Sequence, residues 1–213
     1  LFYDSDELNN VELGYKYSSR DGTKRYNVAL YTMNWKDMQS ANFDLDLASI
    51  QFNSNIGDAV IEGLEADVTL LTENGYTFIA GATLLHPRLD EDYVLDGAVL
   101  APRGTRLANV PKLKASMAVN KAFELKGGLS GYWDFSLSRT GKRKSSMTNP
   151  IDQNAYTTAN FSSTVKGDNW AVVLYIDNLF DTRATIWEYQ GYRPETKFTN
   201  RPRTLGLRLK YKL

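Results

Sequence analysis

One histidine and no cysteine occur among the 213 residues, which excludes disulfides, thiolate metal sites, cysteine nucleophiles and paired-histidine metal centres together. The histidine, His86, stands in Leu84-Leu85-His86-Pro87-Arg88, where a long loop is expected to begin, with no serine motif beside it to complete a nucleophile–base pair. No catalytic residue, metal site or cofactor is therefore expected. Asp90, Glu91 and Asp92 are consecutive acids, but they lack the spacing and fixed glycine of a calcium loop and read as solvated charge. Glu62, Glu65 and Asp67 have no opposing wall that would make them a glycosidase pair. They read instead as polar groups lining an interior, together with Tyr132, Asp134, Arg208, Lys210 and Lys212. The densest constellation is Trp187, Tyr189, Tyr192, Arg193 and Arg201, with Arg88, Tyr93, Arg103 and Arg106 in an earlier stretch. Aromatic rings beside guanidinium groups suit an anionic, partly aromatic small molecule.

Charge narrows the partners further. The 25 basic and 25 acidic residues balance, so the clustered cationic surface that neutralises phosphates is absent and nucleic acid is not an expected partner. The longest purely apolar run, 170–176, falls far short of the ~20 residues a spanning helix requires. Leu1 opens the chain and residues 3–7 are acidic, unlike a secretory signal, which is expected of a processed product or a fragment.

The elements that must position these side chains follow a period of two. Leu205, Leu207, Leu209, Tyr211 and Leu213 alternate with Thr204, Gly206, Arg208, Lys210 and Lys212, which gives a strand with one apolar and one charged face. The same split runs through 64–70, 112–120 and 125–137, and further strands fit at 11–18, 26–35, 76–84, 156–165 and 170–179. About nine strands are predicted. Short polar links at 20–23, 72–75, 121–124 and 166–169 take turns with long ones at 36–58, 86–111, 139–154 and 181–202. Transmembrane barrels keep short turns at one end and long loops at the other, with strands tilted through an apolar band of about 25 Å. Aromatics gather at strand ends (Tyr15, Tyr17, Tyr26, Trp35, Tyr76, Trp133, Trp170, Phe180 and Tyr211), as interfacial girdles do. Alternation alone also fits a soluble β-sandwich binding module or a passive porin-like barrel.

Four stretches carry a family likeness. Asn55-Ile56-Gly57-Asp58-Ala59-Val60-Ile61-Glu62-Gly63-Leu64-Glu65-Ala66 holds a "GxE" core, Leu107-Ala108-Asn109-Val110-Pro111-Lys112 matches "lpnvPk", Asp177-Asn178-Leu179-Phe180-Asp181 matches "NLFD", and Arg201-Pro202-Arg203-Thr204-Leu205-Gly206-Leu207 matches "PRt". In this order they resemble the C-terminal barrel portion of a TonB-dependent outer-membrane receptor. The resemblance implies an all-β, antiparallel transmembrane barrel of 22 strands with a plugged lumen, of which residues 1–213 would supply about nine. The plug, the N-terminal strands and the region gripped by TonB would lie outside this sequence. It implies a bacterial outer-membrane location, contact with outer-membrane lipid, and uptake of a scarce nutrient, a ferric siderophore first among the metal chelates. Trp187, Tyr189, Tyr192, Arg193, Tyr93 and Arg103 would then lie on outer loops that meet the ligand. Glu65, Asp67, Asp134, Arg208 and Lys210 would face the lumen. Lys142-Arg143-Lys144 would be a solvated loop tip or meet lipopolysaccharide phosphates. Family members usually end in an aromatic residue, and this chain ends in Leu213.

Overall fold

The computed structural model describes residues 3–44, 50–189 and 196–212. In chain order the strands are β1 (Glu7–Ser18), β2 (Lys24–Lys36), β3 (Gln39–Asp44), β4 (Ile50–Asn55), β5 (Ala59–Leu71), β6 (Tyr76–Leu89), β7 (Tyr93–Leu95), β8 (Ala98–Ala101) and β9 (Leu113–Glu124). They continue as β10 (Ser130–Thr140), β11 (Arg143–Lys144), β12 (Asp152–Gln153), β13 (Tyr156–Lys166), β14 (Trp170–Asp177), β15 (Thr185–Tyr189), β16 (Thr196–Thr199) and β17 (Thr204–Tyr211). Nine of them form one antiparallel sheet in the order β1-β2-β5-β6-β9-β10-β13-β14-β17. The remaining eight are two-stranded hairpins, β3-β4, β7-β8, β11-β12 and β15-β16, one within each long connection. Twelve-residue strands such as β1 extend about 40 Å at ~3.3 Å per residue, enough to cross an apolar band of about 25 Å when tilted.

Directly paired residues share a face, so the register sorts every side chain. One face carries Val11, Leu13 and Tyr15 opposite Thr32, Leu30 and Val28, then Leu64 and Ala66, Leu84 and Ala82, Met117 opposite Ala80, Leu137 and Phe135, and finally Leu205, Leu207 and Leu209 opposite Ile176, Leu174 and Val172. Among the described residues no second sheet covers this apolar face, and Leu13 and Leu205 are 77% and 72% exposed. A sandwich would bury such a face against another sheet; an apolar face left open over nine strands is the outside of a barrel wall.

At the short-turn end the apolar face ends in rings. Tyr17 stacks on Tyr26 at 5.8 Å, Tyr76 meets Trp133 edge-on at 5.9 Å, and Trp170 pairs with Tyr211. Trp35 and Phe180, also expected at interfacial strand ends, lie at the long-connection end. The register places Trp35 opposite Ala59 on the other face, where its indole N–H donates to Asp6 at 2.9 Å, and Phe180 follows β14 in the loop beyond it. In the first turn the Asp21 carboxylate accepts from the Ser19 hydroxyl and from the Thr23 amide, which hold its pKa down to about 2.

Two further expectations change. The strand predicted over 125–137 and the turn over 121–124 are displaced: β9 runs to Glu124, and the reversal occupies Lys126–Gly128. Gly127 and Gly128 take φ of 78° and 75°, which residues with a β-carbon resist, and the Leu125 amide donates to the Leu129 carbonyl across the turn. His86 is not at a loop start; it is paired within β6 opposite Glu62. Glu62 consequently shares the face of Leu64 rather than that of Glu65, at the loop end, where Arg88 Nη1 donates to it at 2.7 Å.

Three glycines receive a ring from the residue directly across the ladder: Gly63 from Tyr31, Gly131 from Phe123 and Gly206 from Tyr175. Any β-carbon there collides with the ring, so the glycine is fixed by its neighbour and not by its own backbone. Gly63→Ala in the intact protein is expected to cost about 1–3 kcal/mol as overpacking, and almost nothing when Tyr31 is already Ala. Thermal unfolding in detergent followed by circular dichroism measures both, and equal costs in the two backgrounds would refute the contact.

Candidate functional site

The long connections fold onto one another at one end of the sheet. Met38, Ile56, Ala59, Leu89, Tyr93, Ala101 and Leu107 form a buried apolar cluster, with Trp35, Ile61, Leu95, Val110 and Met147 packed against it. Segments from the first three long connections thus share one small core. Backbone bonds close it: Met38 donates to the Gly57 carbonyl at 3.0 Å and Ile56 back to Met38 at 2.8 Å. Each of the three consecutive acids serves the same end. Asp90 pairs with Arg103 at 3.0 Å, Glu91 accepts from the Asp58 amide at 2.8 Å, and Asp92 accepts from the Arg103 amide at 2.6 Å. They are braces for the loop, and among the described residues no group of three acidic, histidine or cysteine side chains could hold a metal ion.

Guanidinium groups link the loops onward. Arg106 donates to the Val110 and Lys142 carbonyls, each at 2.7 Å, and burial lowers its pKa from the ordinary arginine value. Arg143 donates to the Thr185 carbonyl at 2.9 Å and to that of Ile186. The tripeptide Lys142-Arg143-Lys144 is therefore not a free cationic tip: Arg143 is buried, and Lys144 pairs with Asp152 at 2.7 Å, which holds that carboxyl below the ordinary aspartate range.

Of the residues expected to meet a ligand, Arg103 is on the second long connection, paired with Asp90 and still exposed. Tyr93 is 2% exposed within the apolar cluster, so its contribution is packing beneath the loops. Trp187, 40% exposed, lies in β15 with its ring 5.3 Å from that of Phe198. Tyr189 ends β15, and Tyr192 and Arg193 lie outside the described residues. The five residues expected to line the lumen do share the sheet's second face by register: Glu65 and Asp67, Asp134, and Arg208 and Lys210. Glu65 accepts from the Tyr31 hydroxyl at 3.0 Å, Asp67 accepts from the Asn27 amide at 2.7 Å, and Arg208 lies 5.7 Å from the Tyr175 ring. Small side chains at Gly81, Ser116 and Ser138 leave a depression of about 340 Å³ on this face, walled by Glu65, Asp67 and Lys114.

A wall with one lipid-like and one polar face, capped at one end by braced loops, has close counterparts. Residues 4–179 match the family described as TonB dependent receptor-like, beta-barrel. The chain belongs to this TonB-dependent receptor family. Among its relatives, the pesticin receptor of Yersinia pestis is 24% identical over 199 residues, 93% of this chain and 28% of the relative. In solved structures, the ferric yersiniabactin uptake receptor FyuA from Yersinia pestis superposes with a TM-score of 0.79 at 21% identity, covering 98% of this chain and 30% of FyuA. The siderophore receptor PiuA from Acinetobacter baumannii gives 0.75 at 17% identity, covering 98% and 29%. The chain thus spans less than a third of the length of the relatives it matches. Receptors of this family are bacterial outer-membrane proteins, and the relatives named are receptors rather than enzymes.

Within this TonB-dependent receptor segment the "NLFD" residues have a structural task that the spacing of side chains did not reveal. Asn178 sits at φ 53°, buried. Its amide nitrogen donates to the Thr182 and Arg201 carbonyls at 3.0 and 2.9 Å, and its oxygen accepts from the Thr182 amide at 3.0 Å. Asp181 accepts from the Arg203 amide at 2.8 Å. The motif clasps the end of β14 to the start of β17. Its signal in sequence was the asparagine itself, a residue suited both to left-handed backbone and to bonding nearby main chain. Asn178→Ala is expected to destabilise the intact receptor by about 2 kcal/mol or more, since buried backbone groups lose their partners. The Arg203 amide, then the Arg183 guanidinium, keep the Asp181 carboxyl below its ordinary value. With its folded pKa depressed, Asp181 stabilises the clasp above the ordinary aspartate pKa, and that contribution is lost as pH falls through the lowered one. Protection of the amides across 200–204, taken relative to their intrinsic exchange rates at each pH, should fall as the pH drops through that lowered value, and Asp181→Asn should remove this fall.

Proposed function

We propose that this segment forms wall and outer loops of a receptor that takes up a scarce nutrient by TonB-coupled active transport, a ferric siderophore first among the metal chelates. The observation that carries the reading is the register: one unbroken ladder puts Glu65, Asp67, Asp134, Arg208 and Lys210 on a single polar face, while the loops are braced together at one end of it. Such a face suits a lumen filled by a plug, and the depression beside Gly81 suits one of the plug's side chains. The partners are then outer-membrane lipid on the apolar face, the receptor's own plug and remaining strands along the open edges of β1 and β17, and TonB. Nucleic acid has no part in this scheme.

No covalent step is involved. Exposed Trp187 and Arg103, with Tyr189, Tyr192 and Arg193, supply ring faces and cationic charge to an anionic chelate, and Tyr93 supports them from beneath. Loop bracing keeps Arg103 and Trp187 close to their bound positions, which lowers the ordering cost of capture. Iron-starved cells whose sole receptor is the intact protein should accumulate radiolabelled iron from a ferric siderophore. Accumulation should stop when the proton-motive force is dissipated, and Trp187→Ala or Arg103→Ala should weaken binding about tenfold, as loss of an aromatic or arginine anchor does. Uptake that persists without the proton-motive force would overturn the active mechanism, and absence of uptake from every metal chelate tried would overturn the cargo.

A further inference from the structure

A second polar cavity, of about 540 Å³, opens between the third and fourth long connections and has no role in the proposed uptake. Arg139 and Thr157 are among the residues that line it. They are the next directly opposed pair above Leu137 and Ala159 on the apolar face, so the cavity stands where that face ends at its loop side, the level of lipid headgroups in an outer leaflet. The Arg139 guanidinium donates to the Thr157 hydroxyl at 3.0 Å, and among the described residues no carboxylate is paired with it. The cavity's other cations are engaged: Arg183 with Asp181 at 3.2 Å and Lys197 with Glu188 at 3.3 Å.

An independent feature marks the same place. Gln153 lines the cavity and is 2% exposed, yet both its amide nitrogen and its oxygen lack a hydrogen-bond partner. Directly across its hairpin, Arg143 also leaves one buried guanidinium nitrogen unpartnered. Buried polar groups are bonded in the great majority of cases, and leaving one unpaired costs free energy. An arginine with no carboxylate partner and a carboxamide with an idle donor and an idle acceptor, both lining one cavity, match a ligand rich in anionic oxygens that also carries a hydroxyl.

We propose that this cavity binds a phosphate group, with Arg139 as its charged contact and Gln153 as a hydrogen-bonding contact. A phosphorylated glycolipid of the outer leaflet and free phosphate share this chemistry, and the cavity's level at the edge of the apolar face suits the lipid.

Native mass spectrometry of the intact receptor in mild detergent, titrated with bisphosphorylated lipid A, with enzymatically dephosphorylated lipid A and with inorganic phosphate, tests the assignment. Wild type should prefer the phosphorylated lipid over the dephosphorylated one. Arg139→Gln should weaken its binding about tenfold or more, as expected for loss of a charge-assisted hydrogen bond, and erase the preference. Gln153→Leu, which a purely structural glutamine would tolerate, should weaken it severalfold. Binding of phosphate alone with the same sensitivity to Arg139→Gln supports the site with free phosphate as its source. Arg139→Gln and Gln153→Leu proteins that keep wild-type heat-modifiable migration and bind every probe as wild type does would overturn the proposal, as would a wild type that binds neither phosphorylated probe.

Discussion

A strand exposed to hydrocarbon must have both rows of its backbone groups paired, because no water is present to satisfy them. That requirement orders everything else in this segment. Each wall strand except β1 and β17 is flanked by its nearest wall neighbours in sequence, so pairing is achieved by successive hairpins with no crossover. Once the ladder is set, the period of two assigns every residue to lipid or interior, and a slip of one would reverse the whole assignment. The ladder also carries the tilt. A single row passes from Val28 in the middle of β2 through Ala66, Ala82 and Ala115 to Arg139 near the end of β10. A perpendicular row that starts mid-wall and reaches the rim within a few strands is the stagger that inclined barrel strands require.

The two ends of the wall meet the constraint differently. Short turns are held by their own polar atoms, as at Asp21, and carry tyrosines and tryptophans just above them. At the other end the chain leaves the ladder for long excursions, whose backbone must find partners elsewhere. It does so partly in small hairpins and partly through side chains that reach main-chain carbonyls: Arg106 to Lys142, Arg143 to Thr185, Asn178 to Arg201. Bracing of this kind turns long connections into a body that presents side chains in fixed places, which is what recognition of a small ligand needs.

Much of the wall was legible because its signal is local and periodic. Leucines at 205, 207 and 209 need no knowledge of their neighbours to declare a face. The misplaced turn after β9 shows the limit: Leu125 and Leu129 keep the parity of Trp133 and Phe135, so alternation runs through a reversal that only Gly127 and Gly128 betray. Trp35 and Phe180 were grouped by residue type with rings that do form a girdle, and Glu62 was grouped with Glu65 although their spacing of three puts them on opposite faces. The loop body was less legible still. Tyr93 has the composition of a ligand contact but is consumed by packing, and nothing in the neighbourhood of Gln153 announces that its amide would be buried without a partner. Long-range contacts among loops leave no periodic trace.

The residues that carry the family likeness are spent on holding the fold together. Asn178 and Asp181 are spent on main-chain bonds, Gly63 makes room for Tyr31, Ile56 lies in the loop core and Asp58 accepts from Asp37 at 3.0 Å. Each answers a demand of packing or of main-chain bonding within this fold. Trp187 and Arg103, proposed above as ligand contacts, lie outside these motifs, and they too are placed by the loop body: Arg103 pairs with Asp90 and Trp187 packs on Phe198. A wall can therefore superpose on FyuA with a TM-score of 0.79 at 21% identity, since these demands fall on few positions and a shared fold does not by itself fix a shared function.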